Sequence, residues 1–373
     1  MLSSLLGIRL VLLMGERIPS PAPAEIMQAI QSVTVTDSLE DEQGFQLALR
    51  LDKNRQVDYP LLRHPLLRPF TRVVIAVVLG AKLEVLMDGI LDYYDLTGGQ
   101  ENESTLTLFG KDLTTLMNLE QRNRSCGNEA SSSIVQRILD GYTTEYGLTP
   151  EITTTQDQQS ASERVFQQTE TDLDTLQALA RRHGFVFYIQ PEAVGKNTAY
   201  WGPRDRPGIP PLPALTTNFG ASDNVRSLQF SHNTRAPVRA RVAIQEPSTG
   251  ITIDIPIPTL EDLMGSSAQL TLPRRTDILR ETAGETPERA LLAGQATQTN
   301  APNSVRVTGE LDTVRYGHVL RAQRMVGVRG AGLSFDGNYR IDQVTHQIRP
   351  GQYTQSFSLS RRGLGANQPT VVL

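Results

Sequence analysis

Apolar and polar residues alternate along much of the first hundred residues, which is the pattern of β-strands with one buried face. Residues 45–51, FQLALRL, alternate with a period of two, and residues 33–35 carry two valines separated by a threonine. The polar stretch SLEDEQG lies between these two runs. Together they predict a β-hairpin over residues 33–51.

A second group of strands is predicted between residues 72 and 110. RVVIAVVLG at 72–80 is a continuous apolar run, typical of a strand covered on both faces. Residues 83–87 alternate again, Gly89 is expected to end that strand, and STLTLFG at 104–110 predicts one more. Several short strands separated by turns are typical of a barrel or a sandwich.

The pattern changes to helical spacing after residue 110. Residues 111–120 predict a short helical stretch, and residues 134–142 repeat apolar side chains at helical spacing. The serines at 131–133 precede this repeat and suit a helix cap, and Gly147 is placed to end the helix.

The stretch ETDLDTLQALARRHGFVFYIQ at 170–190 predicts a helix followed by a strand. Thr171 and Asp174 have the spacing of a capping box, the acids lie at the positive end of the helix dipole, and the bases at 181–183 lie at its negative end. Gly184 is the expected left-handed cap. Because about three helical turns separate the acids from the bases, we predict a structural helix and not a catalytic cluster.

The middle of the chain is rich in proline. WGPRDRPGIPPLP at 201–213 predicts an extended connector, with recognition by proline-binding domains as an alternative. Strands are predicted at 225–230 and 238–244. ITIDIPIP at 251–258 predicts an edge strand, because proline cannot donate to a strand ladder.

Residues 261–304 are predicted to be poorly ordered, except for a helix at 286–298 capped by Thr286. The chain then returns to β-strands. FDGNY predicts an Asp-Gly hairpin turn and RPGQY a Pro-Gly turn. The alternation between them shifts after Ile341, which predicts a bulge. The tail from Gly363 is expected to be flexible until something binds it.

Composition narrows the classes of function. The formal net charge is −4, so no basic surface for nucleic acid is indicated. Cys126 is the single cysteine, which excludes a disulfide within the chain and favours the reducing cytoplasm. The apolar start is short and lacks a clear cleavage site for a signal peptide. No run approaches the roughly 18 apolar residues of a membrane span, so we expect cytoplasmic assembly without a membrane span.

The sequence offers little chemistry for catalysis. The histidines are scattered without ligand spacing: His64, His183, His232, His318 and His346. The chain has no HExxH, GxSxG or GxxxxGK motif, and the glycines of GVRGAG at 327–332 precede a hairpin pattern rather than a helix. We therefore predict no catalytic residue, no cofactor and no metal site.

Three stretches in order carry a family resemblance. QQTETDLDTLQALARRHGFVFYI resembles the acidic helix and following strand of the phage tail hub and late-control protein D family, which includes the valine-glycine repeat (VgrG) proteins of type VI secretion. GKDLTTLMNLEQRNRSCGNEASSSIVQRILDGY is similar to the family's preceding helix-loop-helix, and LSFDGNYRIDQVTHQI with GQYTQSFSLSRRGLG to its closing strands. The positions that carry the resemblance are Glu170, Asp172, Leu173, Leu176, Gly184, Phe185, Tyr188, Gly337, Tyr339, His346, Tyr353 and Phe357.

The resemblance extends over roughly residues 30–365 and implies an α+β, mainly β fold. It implies a first β-barrel-like domain at 1–110, a small α/β insertion at 111–200, and a second, related barrel-like domain at 201–373. It also implies a homotrimeric ring, with a pseudo-sixfold face for a hexameric inner tube protein and a threefold face for a spike. Type VI relatives continue into the spike, whereas this chain stops at Leu373, so a separate spike protein is expected.

The predicted function is that of a structural baseplate hub, or tube–spike adaptor, without enzymatic activity. Its place would be a virion tail or an extracellular or membrane-anchored injection particle, beside other baseplate components. Two alternatives stay open on the sequence. One is a tail-associated cell-wall hydrolase, which would need paired carboxylates or a metal in a cleft. The other is a monomeric binding module that uses the proline-rich segment.

Overall fold

The structure is a computed structural model, which describes residues 8–39, 43–52, 59–98, 104–127, 129–157, 166–206, 208–245, 252–258, 273–279 and 287–365. Its strands are β1 Arg9–Gly15, β2 Ser20–Pro21, β3 Ile30–Ser38, β4 Gly44–Leu51, β5 Arg72–Leu79, β6 Lys82–Gly98, β7 Ser104–Asp112, β8 Arg124–Cys126, β9 Leu148–Ile152, β10 Phe166–Gln168, β11 Phe185–Ala193, β12 Lys196–Pro203, β13 Leu212–Thr216, β14 Ser227–His232, β15 Val238–Gln245, β16 Thr252–Pro256, β17 Arg275–Leu279, β18 Val305–Asp312, β19 Met325–Arg329, β20 Gly337–Arg349 and β21 Gln352–Arg361. Its helices are α1 Ala24–Ala29, α2 Ser131–Tyr146, α3 Asp172–His183, α4 Pro287–Asn300 and α5 Thr313–Tyr316.

One sheet of 13 strands, the main sheet, dominates the structure. Its path runs β14-β18-β21-β20-β3-β4-β7-β6-β5-β1-β2, and β19 joins β13 to β20. Within the described ranges, no pairing closes this path into a ring. Because β20 pairs directly with β3 in antiparallel fashion, strands from both ends of the chain share the sheet. The predicted mainly β, α+β class is confirmed.

The first part of the chain follows the predicted pattern as far as Gly89. The hairpin predicted at 33–51 is confirmed by β3 and β4, whose alternate apolar side chains are buried. β5 is buried on both faces from Arg72 to Val77. The prediction that Gly89 ends a strand is wrong, because β6 continues to Gly98. At Gly89 the partner of the strand changes from β5 to β7. Pairing with β7 provides hydrogen bonds for the backbone beyond the point where the apolar alternation stops.

Helix α2 ends as predicted but begins differently. Gly147 has a left-handed φ of 65° and caps the helix. The predicted serine cap is wrong, because the N-cap is Ala130, which has no side-chain acceptor. The carboxylate of Asp157 accepts a hydrogen bond from the backbone N–H of Ser131 at 3.0 Å instead. An acceptor from a distant segment satisfies a free N–H at the start of a helix as well as a local one does.

The insert packs α2 and α3 on a small sheet ordered β11-β12-β9. Trp201 of β12 is fully buried in this cluster, so the start of the proline-rich stretch belongs to a strand. The helical stretch predicted at 111–120 is a 3₁₀ helix at Leu113–Asn118.

The closing strands follow the prediction except at one turn. The bulge is confirmed by a register shift between Ile341 and Gln343, and the Pro-Gly turn by the pairing of Arg349 with Gln352. The Asp-Gly hairpin turn is wrong, because residues 330–336 form a wider loop between β19 and β20. The side chain of Asp336 closes that loop by accepting from the N–H of Ala331 at 2.7 Å.

A third sheet, ordered β16-β15-β17, packs against α4. The edge position predicted for ITIDIPIP is confirmed by β16. The predicted lack of order over 261–304 is wrong for β17, which pairs in parallel with β15 at Arg275–Leu279. This segment is ordered because it pairs with a strand more than 30 residues away in sequence. Helix α4 begins at Pro287; the predicted cap Thr286 and the tail beyond Gly365 lie outside the described residues.

Three large hydrophobic clusters form the core. The first is built on β3–β7 and includes Val319, Ile348 and Tyr353 from late in the chain. The second fills the insert, and the third lies within the strands after β12. The division of the chain at 110 and 200 stays a prediction. None of the described helices has the length and apolarity of a membrane span.

Candidate functional site

The predicted capping box opens α3. The hydroxyl of Thr171 accepts from the backbone N–H of Asp174 at 3.1 Å and lies 2.8 Å from its carboxylate. Glu170, just before the helix, is exposed. Its carbonyl accepts from the N–H of Arg122 at 3.1 Å, so its backbone fixes the approach of the chain to the helix.

Asp172 does more than complement the helix dipole. Its side chain is buried, and its carboxylate accepts from the hydroxyl of Tyr142 at 2.9 Å and from the amide of Gln168 at 2.7 Å. A guanidinium nitrogen of Arg124 lies 3.5 Å away. Burial raises the pKa of Tyr142, and the bond to Asp172 raises it further. Asp172 therefore ties α3 to α2.

The apolar residues of the same motif fill the insert. Leu176 is fully buried and Leu173 partly buried in the cluster that contains Trp201. The ring of Phe185 lies edge-on to Trp201 with the centroids 5.0 Å apart. Tyr188 is buried in a separate small cluster, and burial raises its pKa to about 12. These four positions act through packing.

Two features of the structure require a glycine at position 184, at the end of α3. Its φ of 66° is left-handed, which glycine adopts without strain. A Cβ at this position would also lie 3.0 Å from the Cα of Ala296 in α4. The glycine thus ends α3 and leaves room for α4 to pack against it.

A serine, an aspartate and a histidine meet between α2 and α3. The carboxylate of Asp157 accepts from the Ser131 hydroxyl at 2.5 Å and lies 3.1 Å from Nε2 of His183. Burial alone would raise the pKa of Asp157, but the hydrogen bonds from His183 and Ser131 lower it. In a nucleophilic serine site the histidine contacts the serine. Here the carboxylate lies between them, so the group ties two helices together and activates no nucleophile.

The closing motif lies in the core of the last part of the chain. Gly337 begins β20 with a φ of 136°. Tyr339 is fully buried, its hydroxyl donates to the carbonyl of Phe335 at 2.6 Å, and the guanidinium of Arg361 lies 4.5 Å from its ring. Burial raises the pKa of Tyr339 to about 12. Phe357 belongs to the same hydrophobic cluster.

His346 and Tyr353 form a buried pair where β20 meets β3. The Tyr353 hydroxyl lies 2.9 Å from Nδ1 of His346. Burial, helped by repulsion from Arg321, lowers the pKa of His346 to about 3. The imidazole is therefore neutral at ordinary pH, and Nδ1 can accept the hydroxyl proton.

Arg321 links late and early parts of the chain. Its guanidinium donates to the carbonyl of Leu86 at 3.1 Å and to that of Val85. The next residue, Ala322, donates its N–H to the carboxylate of Asp37 at 3.0 Å. Desolvation raises the pKa of Asp37, although the charge of Arg321 opposes this.

Four residues form what we call the half-to-half joint, between early and late strands: Asp37, Arg321, His346 and Tyr353. Asp112 lies beside the joint on its early side, where the charge of Asp37 acts on it. Asp112 is buried and accepts from the hydroxyl of Thr114 at 2.5 Å. Burial raises its pKa to about 7, with a smaller contribution from the charge of Asp37. A carboxylate that titrates near neutral pH therefore lies beside the joint.

A second polar group, the sheet-to-insert joint, consists of Arg72, Asp88, Asn197 and the carbonyl of Tyr146. Arg72 and Asp88 are both buried and form a bidentate pair with distances of 2.8 and 2.7 Å. Arg72 also donates to the Tyr146 carbonyl at 3.0 Å, and the amide of Asn197 donates to Asp88 at 2.8 Å. One ion pair thus connects β5, β6, α2 and β12.

Pattern analysis missed this joint, although a signal was present. Arg72 opens an apolar run of a strand, and Asp88 lies in the otherwise apolar VLMDGIL. A charge inside a buried strand requires a partner, but the sequence does not indicate which one.

The far half of β6, residues 92–98, is named here the distal edge. All seven of its residues are exposed, although the six from Tyr93 to Gly98 pair with β7. Tyr93, Tyr94 and Leu96 are 51%, 48% and 45% exposed, and the neighbouring Phe70 is 58% exposed. In the described part of the chain, no strand pairs with the side of the distal edge that faces away from β7. The sequence analysis missed it because Gly89 was expected to end the strand.

The site residues predicted from the sequence do not meet in one cleft: most are distributed over the three large cores, Tyr188 lies in a separate small cluster, and Glu170 is exposed. Among the described residues, no group of three or more His, Cys, Asp or Glu side chains could hold a metal ion. What the arrangement provides is buried polar joints between parts of the chain and an exposed strand edge that carries aromatic side chains.

No protein-family model matches the sequence, and no curated protein matches it. Several solved structures, however, are similar to this chain. A 43 kDa tail protein of prophage MuSo2 from Shewanella oneidensis is similar with a TM-score of 0.65 and 16% identity, over 95% of this chain and 99% of that one. The chain has the fold of a phage tail protein.

Two further structures agree. A tail protein from Neisseria meningitidis MC58 is similar with a TM-score of 0.64 and 11% identity, over 96% of this chain and 98% of that one. An E. coli component of the type VI secretion system, itself described as similar to the T4 tail proteins gp27 and gp5, is similar with a TM-score of 0.55 and 13% identity, over 92% of this chain and 77% of that one. The resemblance found in the sequence is confirmed at the level of the fold.

Proposed function

We propose that this chain is the structural baseplate hub of a contractile injection system, a homotrimeric ring that joins a hexameric inner tube to a separate spike. The observation that carries the proposal is the match of 95% of this chain to 99% of a prophage tail protein. The similarity to a type VI secretion component supports a part common to both kinds of apparatus.

The proposal is also supported by a symmetry argument. A sixfold tube and a threefold spike cannot make identical contacts with one ring. A trimer resolves the mismatch if each copy presents two similar regions to the tube, because three copies then offer six. The two joints described above would keep the parts of each copy in fixed relation while force is transmitted through the ring.

Electron microscopy of the purified protein tests this function. We expect rings with threefold symmetry that show six lobes on one face. When a hexameric inner tube protein from the same source is added, rings should bind to tube ends and not along the sides. Twofold particles, or binding along the tube, would contradict the hub.

The proposal assigns no catalytic residue, so a turnover assay separates it from the hydrolase alternative. Purified protein incubated with cell-wall material should release no soluble fragments above the level of a heat-denatured sample. Release that persists after further purification would favour the hydrolase.

A further inference from the structure

The distal edge is open because the chain that enters β5 turns away from it. Phe70 donates its N–H to the carbonyl of Leu91 at 2.8 Å, and Leu91 donates to Thr71 at 2.9 Å. Phe70 has a left-handed φ of 66°, which is strained for a residue with a side chain. Beyond this turn, no described strand pairs with the open side of β6. Backbone groups along residues 92–98 therefore stay available for pairing.

The core-facing side of the distal edge is apolar. Tyr94 and Leu96 pair with Leu108 and Leu106, which are buried in the first core. They project to the same side of the sheet as these leucines and yet remain 48% and 45% exposed. The row of core-facing side chains thus continues past the core that it belongs to, and a strand added at this edge would cover it with its own apolar side chains.

The opposite side of the distal edge is aromatic and acidic. The ring of Tyr93 stacks on that of Phe109 in β7, with the centroids 4.6 Å apart. Asp95 lies on the same side, two residues further along the strand. Asp92, Tyr93 and Phe109 line a cavity of about 180 Å³. Within the described part of the chain, the carboxylates of Asp92 and Asp95 have no hydrogen bond and no ion pair.

The charge of this hairpin selects a basic partner. Residues 83–110 contain six acids and no lysine or arginine. Lys111 also lines the cavity, but it already has an interaction partner. A carboxylate beside an aromatic face binds a lysine or arginine side chain through charge and through the ring quadrupole. Pockets for small molecules enclose about 300 Å³ or more, so the cavity has the size for one side chain and not for a whole ligand.

We propose that the distal edge binds an extended segment of a partner protein, in which lysine or arginine alternates with apolar residues, as an added strand of the main sheet. The period of two places the apolar side chains beside Tyr94 and Leu96 and the basic ones beside Tyr93 and Asp95. Backbone hydrogen bonds then give affinity, and the alternate side chains give specificity. Seven residues of edge extend over about 23 Å, so about seven residues of the partner suffice.

A synthetic peptide added to the full-length protein tests the pairing. The probe is fluorescent acetyl-KVKVKVK-amide, and its binding is measured by anisotropy at low salt. We expect saturable binding of one peptide per chain, and binding weaker by about tenfold or more for acetyl-EVEVEVE-amide. Amide hydrogen exchange within residues 92–98 should slow when the first peptide is bound, because the added strand occupies their open side. Equal binding of the two peptides, or slowed exchange only elsewhere, would overturn the proposal.

Removing the two carboxylates tests the charge of the surface. Asp92→Asn/Asp95→Asn should weaken binding of the lysine peptide by about tenfold. Asp205→Asn/Asp277→Asn is the matched control, because it removes the same charge from exposed side chains outside the edge; it should leave binding unchanged. Equal losses in the two variants would mean that the peptide responds to net charge alone, which overturns the site.

A lysine on the edge tests the apolar side. Leu96→Lys should weaken binding by about tenfold or more, because the new charge replaces an apolar contact and repels the peptide. Leu119→Lys is its control, since Leu119 is 57% exposed and lies outside the edge. Equal binding by the two variants, with unchanged thermal unfolding, would overturn the assignment of this side.

The outcomes separate this inference from the proposed function. A monomer by mass that still binds the lysine peptide at residues 92–98 would contradict the hub and support the docking edge. A trimer whose exchange at 92–98 is already slow without peptide, and slower at higher protein concentration, would show that a second copy covers the edge. That result would overturn the proposed partner and leave the hub standing.

Discussion

The two polar joints are both buried but are built from different chemistry. In the sheet-to-insert joint, Arg72 meets the carboxylate of Asp88 in a bidentate pair. In the half-to-half joint, Arg321 donates to backbone carbonyls and burial lowers the pKa of His346 to about 3. Beside this joint, burial raises the pKa of Asp112 to about 7. The first joint is held by an ion pair between opposite charges. The stability of the second joint depends on the protonation state of its residues.

This difference suggests different roles for the two contacts. A closed ion pair holds the insert on the sheet as long as both partners are present. Groups with shifted pKa values couple the contact between early and late strands to pH. We therefore expect variants of the first joint to lose much of the free energy of unfolding at any pH. Variants in or beside the second joint should change how the free energy of unfolding depends on pH.

Removing Asp88 should have the largest effect. Asp88→Ala leaves the Arg72 guanidinium buried without its partner, which costs about 3–5 kcal/mol. Chemical denaturation at neutral pH measures the free energy of unfolding. The control is Asp52→Ala, because the Asp52 side chain is 81% exposed and its loss should change stability by less than about 0.5 kcal/mol. Equal effects would mean that the pair does not hold the insert.

Asp112→Asn should stabilise the protein at neutral pH. The pKa of Asp112 rises from 3.8 to about 7 on folding, so the folded state keeps a proton that the unfolded state releases as pH increases. The wild type therefore loses stability between these two values, and the asparagine variant does not. The free energy of unfolding of the variant should exceed that of the wild type by roughly 2–4 kcal/mol above pH 7. This difference should vanish near pH 4. A gap independent of pH would contradict the raised pKa.

His346 should act in the opposite direction. Its pKa falls from 6.5 to about 3 on folding, so its contribution is present above the unfolded value and is lost as pH falls through this window. At pH 5 the loss is about 2 kcal/mol. In His346→Asn, which can still accept from Tyr353, the acid slope should be shallower, as measured by denaturation at several pH values. An unchanged slope would place the acid sensitivity elsewhere.

Gly184→Ala should have the smallest effect of the four. The left-handed backbone costs a residue with a side chain about 1–2 kcal/mol, and the close approach of Ala296 adds to this. Gly195→Ala is the matched control, because Gly195 also has a positive φ but has open space around it. If both variants lose the same stability, α4 does not press on this position.

Local signals account for what could be predicted from the sequence. Thr171 and Gly184 act on residues within one helical turn, and the alternation at 45–51 follows from one buried face. Joints depend on contacts that local pattern does not contain. Asp157 caps α2 from 26 residues away, and Asn197 reaches Asp88 across 109 residues. The distal edge was missed for the same reason, because a change of strand partner at Gly89 preserves β6.

The mass of the purified protein, measured by light scattering over a wide range of concentration, tests the central claim most directly. A hub predicts a shift towards three copies, about three times the 41.1 kDa of one chain, with no larger species. A dimer or a tetramer would contradict the account, because neither symmetry fits a junction between a sixfold tube and a threefold spike.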